Sequence, residues 1–283
     1  MKLDAHRALL ERRFPDLPIE SMAVFGAGWD TVTYLINGRL VAQFPNPDGA
    51  PATDLRRLLV ILPEIAKEVS APIPDPIFGS DEDPPCIVYP LIEGVAMDRA
   101  PGGIWPERLG RFLYDLHLMP TEYVGMRSRD AEAVRAERRA DVAAKRALID
   151  PLLNTDERGK SDAFLRAYLD DDENWRFATC LHHGDIGPPH VLVTEAGDLA
   201  GVIDWGDAEV GDPAGDIAWI LHAMPGPGER VLAAYGGEPD SRFRRRALAI
   251  YRLMPWSDIQ RGLQTDDPGL VEEGLSGYRA RLA

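Results

Sequence analysis

The chain has 283 residues, 45% hydrophobic and 27% charged, which suits one large globular domain or two modest ones around a sizeable core. No run approaches the roughly 18 apolar residues of a membrane span, the charged start MKLDAHRALLERRF has no signal-peptide block, and Cys86 and Cys180 are too few for a disulfide framework or a four-ligand zinc site. A cytoplasmic protein with no membrane partner is expected, and the net charge of −15 argues against nucleic acid and suits a cationic partner.

In chain order, SMAVFGAGWDTVTYLINGRLVAQFP alternates apolar and polar residues around Asn37-Gly38, a strong hairpin signal. DLRRLLVILPEIAKEV then has apolar positions at helical spacing, and Pro72, Pro74 and Pro76 end that pattern before the apolar stretch CIVYPLI. These segments predict a small antiparallel sheet carrying one helix over residues 1–92. From Asp98 onward PERLGRFLYDLHLMP, RDAEAVRAERRADVAAKRALIDPLL and SDAFLRAYLDD show helical faces, interrupted by two short β-rich runs in HVLVTEAGDLAGVIDW, and helix returns after Gly226. Residues 93–283 thus read as a helical lobe with an embedded hairpin, an α+β architecture overall. The charge run RAERRADVAAKR reads as a solvated helix face.

The chemistry concentrates in LHHGDIGPPHVLVTEAGDLAGVIDW. A loop carboxylate, Asp185, a ligand five residues later, His190, and a second carboxylate past a short hairpin, Asp204, are what phosphoryl transfer requires: one Asp deprotonates the attacking hydroxyl, the other two groups hold Mg²⁺ against nucleotide phosphates. Gly184 and Gly187 permit tight turns and Pro188 and Pro189 stiffen the loop. Upstream, Gly26 and Gly28 in FGAGWDTVTY sit at a turn whose N–H groups can cover phosphates. A metal hydrolase built on His182, His183, Asp185 and His190 is a competing reading, and it leaves the first ninety residues unexplained.

His183-Gly184-Asp185 with His190, followed by VIDWGDAEVGDPAGDIAWI, resembles the aminoglycoside and macrolide phosphotransferases, antibiotic kinases with the two-lobed protein-kinase-like fold. The resemblance covers nearly the whole chain and is most specific from Leu181 to Leu221. It implies Asp185 as catalytic base, His183 as the catalytic-loop residue that holds the loop, and Asp204 as metal ligand. The family's usual residue five after the base is Asn, and here it is His190; similar macrolide kinases and 2''-phosphotransferases also carry His. A neutral imidazole can bind Mg²⁺, which nevertheless prefers oxygen, so the alternative is a histidine hydrogen-bonded beside the site. Asp212 and Asp216 match a structural motif that caps the next helix or braces the loop.

The pattern breaks at the phosphate-binding lysine. The resemblance puts that position at Gln43 and its helical Glu partner at Leu58, so both halves of an ion pair are absent together. Arg39, Arg56 or Arg57 are candidates for the missing cation. An active kinase with an altered nucleotide grip is one reading, and a non-catalytic binding protein on a kinase fold is the other. ATP or GTP is expected under the glycine turn, against backbone groups of residues 89 to 91, with Tyr89 and Leu91 at the base edge. Asp207 and Glu209 are expected to meet a cationic acceptor, an aminoglycoside, macrolide or peptide antibiotic, with Trp219, Trp256, Tyr251 and Met254 available as an apolar wall. The resemblance implies a monomer.

Overall fold

The computed structural model describes residues 2–28, 30–46, 55–124, 126 and 129–282, with the backbone alone at Tyr123 and Val124. The first lobe is built on an antiparallel sheet of β1 (Met22–Ala27), β2 (Thr31–Ile36), β3 (Leu40–Pro45), β4 (Phe78–Ser80) and β5 (Cys86–Pro90), in the order β1-β2-β3-β5-β4. β2 and β3 join at Asn37-Gly38, where both residues take positive φ, 52° and 67°, as the tight turn demands. Alternation along the strands makes two faces. Val32, Tyr34, Ile36, Ala42, Phe44 and Val88 pack with Leu10 of α1 (Lys2–Arg13), and Val41, Ile87 and Tyr89 turn toward α2 (Leu55–Glu68). The sheet therefore carries a helix on each face, one more than its apolar pattern predicts, because α1 contributes only one fully buried side chain, Leu10, to the core.

The second lobe holds α3 (Trp105–His117), α4 (Ala131–Ile149) and α5 (Thr155–Leu169), and then, beyond the strands, α6 (Ala214–Ala223), α7 (Pro225–Tyr235), α8 (Phe243–Leu253), α9 (Pro255–Thr265) and α10 (Pro268–Leu282). Two small sheets are set among these helices. β6 (Val95–Ala96) pairs with the hairpin of β8 (Val191–Val193) and β9 (Leu199–Val202), and β7 (Cys180–His182) pairs with β10 (Glu209–Gly211). The chain consequently leaves β7 into residues 183–190 and leaves β9 into residues 203–208, so two loops are fixed at both ends by strands and lie side by side. One apolar cluster runs through both lobes, from Leu58, Ile61 and Leu62 of α2 to Leu113 and Leu116 of α3, Trp205 and Ile217.

Arg246 of α8 is fully buried and forks onto two carboxylates, Asp212 at 2.7 and 3.1 Å and Asp240 at 2.8 Å twice, with its guanidinium over Phe177. Asp212 also accepts the Ala214 amide at 3.0 Å, which fixes the start of α6. Arg246→Met leaves two carboxylates without their cation, and the expected cost is about 3–5 kcal/mol, read as a lower urea midpoint.

Candidate functional site

The loop after β7 is held from beneath by Asp216 of α6. Its fully buried carboxylate accepts the His183 amide at 2.8 Å, the Gly184 amide at 2.9 Å and His117 Nε2–H at 3.0 Å. Burial alone would raise this carboxyl, but the bond to His117 and the charge of nearby His182 hold it well below the usual carboxylate range. Asp216 thus braces the loop, and Asp212 fixes the helix start. Gly184 takes φ +87°, and a Cβ there would collide with the Asp207 carbonyl, so glycine lets the two loops touch.

His183 is fully buried and joins the loops. Its Nδ1 accepts the Asp185 amide at 3.2 Å, which leaves the proton on Nε2 to bond the Ile203 carbonyl at 3.0 Å. Burial pushes its pKa down, keeping the ring neutral. Both nitrogens are occupied inside the protein, so the ring positions Asp185 and does not exchange protons with a ligand.

His190 stands between the two carboxylates. Its Nδ1 lies 2.8 Å from the Asp185 carbonyl and 3.2 Å from Asp185 Oδ2, and its Nε2 lies 3.4 Å from Asp204 Oδ2. A carbonyl can only accept, so Nδ1 carries a proton, and the tautomer protonated there alone presents the Nε2 lone pair beside Asp204. Asp204 itself has φ +66°, a sparsely populated conformation for a residue with a Cβ. Two ligands on one Mg²⁺ at about 2.1 Å each sit about 3 Å apart along an octahedral edge, close to the spacing seen here. Among the described residues no three His, Cys, Asp or Glu side chains gather as a metal cage. Mg²⁺ does not require one, since it is usually held by one or two carboxylates plus waters and substrate phosphates.

Asp185 opens onto a groove of about 1000 Å³ that also meets His190, Asp207 and Glu209. The walls around Asp207, followed by the carboxylates of Asp185, Asp204, Asp30 and Glu209, push its carboxyl up. It is a negative group among negative groups, and a cation there would relieve the repulsion. Glu209 differs. Arg129 Nη1 lies 2.6 Å away and His182 Nε2 at 3.7 Å, so its charge is largely answered within the protein. The groove as a whole is of mixed sign, with Arg138, Lys145, Arg261 and Arg281 facing Asp141, Asp207, Glu209 and Asp258, and Trp219, Met254 and Trp256 forming an apolar part of the wall. Arg138, Asp141 and Lys145 come from the charge run on α4, which therefore lines the groove as well as facing water.

His182 lies below Glu209, 3.6 Å from Asp216 Oδ1 and 3.7 Å from Glu209, longer than hydrogen bonds. Burial works against its charged form, but the two carboxylates outweigh it and push it up to about 9. Gly211 of β10, which pairs with Cys180 of β7, leaves the room the His182 ring occupies. A group raised in this way stabilises the fold fully below its unfolded value near 6.5 and loses that contribution as pH rises toward 9. The urea midpoint is expected to fall across that window, and His182→Gln is expected to flatten the slope.

The first lobe's candidates lie around β1, β3 and β5. Gly26 is in β1 next to a bulge, and Gly28 donates its amide to the Thr31 carbonyl at 2.8 Å, so that N–H is used by the hairpin and is not free to cover phosphates. Gln43 shares the α2-facing side of β3 and donates to Thr31 Oγ1 at 3.0 Å. Leu58 is buried in the same apolar cluster as Trp205 and Ala208. Tyr89 is nearly buried, and burial followed by the charge of Asp204 raises its phenol. Leu91 donates its amide to the Arg39 carbonyl at 2.9 Å, which takes the Leu91 N–H out of contention for a base edge. Of the candidate cations, Arg56 bonds the Asp81 carbonyl and Asp83, and Arg57 reaches the carbonyls of Gly206 and Ala208. His117, Arg129 and the basic residues of the groove were not legible from the sequence. A lone His on the apolar face of α3 gives no sign that a carboxylate from α6 will meet it.

The chain is 30% identical over 113 residues to the uncharacterized protein YcbJ of Bacillus subtilis (strain 168), covering 38% of this chain and 37% of that one. It is also 30% identical over 135 residues to viomycin phosphotransferase of Streptomyces vinaceus, covering 46% and 45%. The matched stretch is thus less than half the length of these curated relatives. Among solved structures, a GDP and kanamycin complex of APH(2")-IIia superposes with a TM-score of 0.85 at 22% identity over 98% of each chain. Macrolide 2'-phosphotransferase MphH from Brachybacterium faecium gives 0.72 at 24% identity, again over 98% of each chain. These structures share the fold, two lobes of the antibiotic-kinase kind. Residues 21–251, most of the chain and all of the loop region around Asp185 and Asp204, match the phosphotransferase enzyme family, to which this protein belongs.

Proposed function

We propose that the protein transfers the γ-phosphoryl group of ATP or GTP to a hydroxyl of an amine-bearing peptide antibiotic of the viomycin type. The observation that carries this reading is His190, whose two nitrogens face Asp185 on one side and Asp204 on the other at the mouth of the groove. His190 Nε2 and Asp204 would hold Mg²⁺, which supplies charge neutralisation on the nucleotide phosphates. Asp185 orients the acceptor hydroxyl and takes its proton, and His183 fixes the Asp185 backbone by accepting its amide. Asp207 meets an ammonium of the acceptor, with Glu209 behind it. The nucleotide base lies under β1 and β2 against Tyr89 and the carbonyls of the connector, with Gly26 letting the strand pass close to the phosphates and Gln43 as a neutral donor below them. The mixed charge of the groove supports that acceptor class. A peptide offers carbonyls to the groove's arginines and lysine, an amine to Asp207 and apolar surface to Trp219 and Trp256. The division into lobes at 92/93, a monomeric state and a cytoplasmic location belong to the same reading; among the described residues no helix is long and apolar enough to cross a membrane.

Titration of Mg·ATP and Mg·GTP by calorimetry, followed by mass-shift assay with a viomycin-type peptide, a kanamycin-type aminoglycoside and a macrolide, tests it. Micromolar nucleotide binding and addition of one phosphoryl group to the peptide are expected. Gln43 and Leu58 favour a second reading, a non-catalytic binding protein, and well-folded protein that binds neither nucleotide would select it.

A further inference from the structure

Arg57 is one residue before Leu58 on α2, about 100° round the helix from it. Leu58 points into the core, and Arg57 leaves the helix toward the loop that follows Asp204. Its Nη2 donates to the Gly206 carbonyl at 2.6 Å and its Nη1 to the Ala208 carbonyl. Within that loop the Ala208 amide donates to the Trp205 carbonyl at 3.2 Å, closing a turn. One planar guanidinium therefore spans the carbonyls either side of Asp207. The opposite side of the same turn rests on Gly184, where no Cβ could fit against the Asp207 carbonyl. The turn is clamped between α2 and the catalytic loop, immediately after the strained backbone of Asp204.

We infer that Arg57 is the positioning residue that links α2 to the Asp204 loop in place of the missing side-chain ion pair at residues 43 and 58. A carboxylate partner would tie α2 to the sheet. Arg57 ties α2 to the backbone of the loop, and does so before any nucleotide arrives. The cation is spent on two carbonyls, so it orients Asp204 and Asp207 and makes no direct contact with phosphates. Its catalytic consequence rests on the phosphotransferase reading, but the clamp itself does not.

Hydrogen exchange on the nucleotide-free, Mg²⁺-free full-length protein tests the clamp. In Arg57→Gln, amides 205–209 are expected to exchange about tenfold faster or more, the scale expected when charge-assisted hydrogen bonds are lost, while amides of α3 keep their rates. Arg57→Lys is expected to fall between, because an ammonium lacks the fork that bridges two carbonyls; it also carries the comparison should the Gln variant not fold. In turnover, the Mg²⁺ concentration for half-maximal rate is expected to rise about tenfold in Arg57→Gln, and the acceptor KM to rise with it through Asp207. Unchanged loop exchange in both variants overturns the inference, and so does unchanged exchange together with weakened nucleotide binding, which would make Arg57 a phosphate ligand. A wild-type protein without turnover overturns the functional reading and leaves the exchange comparison to judge Arg57.

Discussion

Asp185→Ala lowers kcat by roughly 10²–10⁴-fold, the range for loss of a positioned general base, and leaves nucleotide affinity nearly unchanged. The separation of the two effects follows from which atoms Asp185 uses. His190 is oriented by the main-chain carbonyl of Asp185 at 2.8 Å, and that bond survives truncation of the side chain. His183 likewise bonds the Asp185 amide and not its carboxylate. The variant therefore keeps the imidazole beside Asp204 and loses only the group that faces the groove. Steady-state kinetics with calorimetric nucleotide titration measures both quantities, and turnover near that of the unaltered protein would remove Asp185 from the role of base.

Asp204→Asn acts on the other side of His190. Asn tolerates a positive φ nearly as well as Asp, so the backbone at +66° is kept and only the charge is lost, which an Ala substitution would not achieve. Nucleotide affinity in the presence of Mg²⁺ is expected to fall by at least the roughly 10–100-fold that loss of an outer-shell partner costs a metal site. Turnover falls with it. The discriminating measurement is nucleotide affinity against Mg²⁺ concentration, steep in the unaltered protein and flat in the variant. A variant that keeps the steep dependence shows that the metal is held elsewhere.

Both experiments concern residues legible from sequence, because the Asp185, His190 and Asp204 spacing is short and each member has few structural reasons to be there. The Asn37-Gly38 turn was legible for the same reason, since two neighbouring residues carry the whole signal. β7 and β10 were not; each has three residues, and their pairing joins Cys180–His182 to Glu209–Gly211 across the entire loop region. Sequence could identify Gln43 and Leu58 as departures but could not choose among Arg39, Arg56 and Arg57, because the choice depends on contacts some 150 positions away along the chain. Local composition showed only the acidic half of the groove. Acidic residues crowd the sequence around Asp204, and the cations that share the groove lining, Arg138, Lys145, Arg261 and Arg281, arrive from α4, α9 and α10.

The apolar cluster that runs through both lobes also determines which part of the molecule can open. Parting α2 from the larger lobe would bare Leu58, Ile61 and Leu62 together with Leu113 and Trp205, at about 1.5–3 kcal/mol for each large apolar side chain exposed. A gape at the connector is therefore expensive. β1 and β2 belong to the separate cluster on the α1 side, and Val24 and Phe25 of β1 are already exposed. The element whose displacement bares least is thus β1, none of whose residues is buried, and it can move over a floor that stays closed.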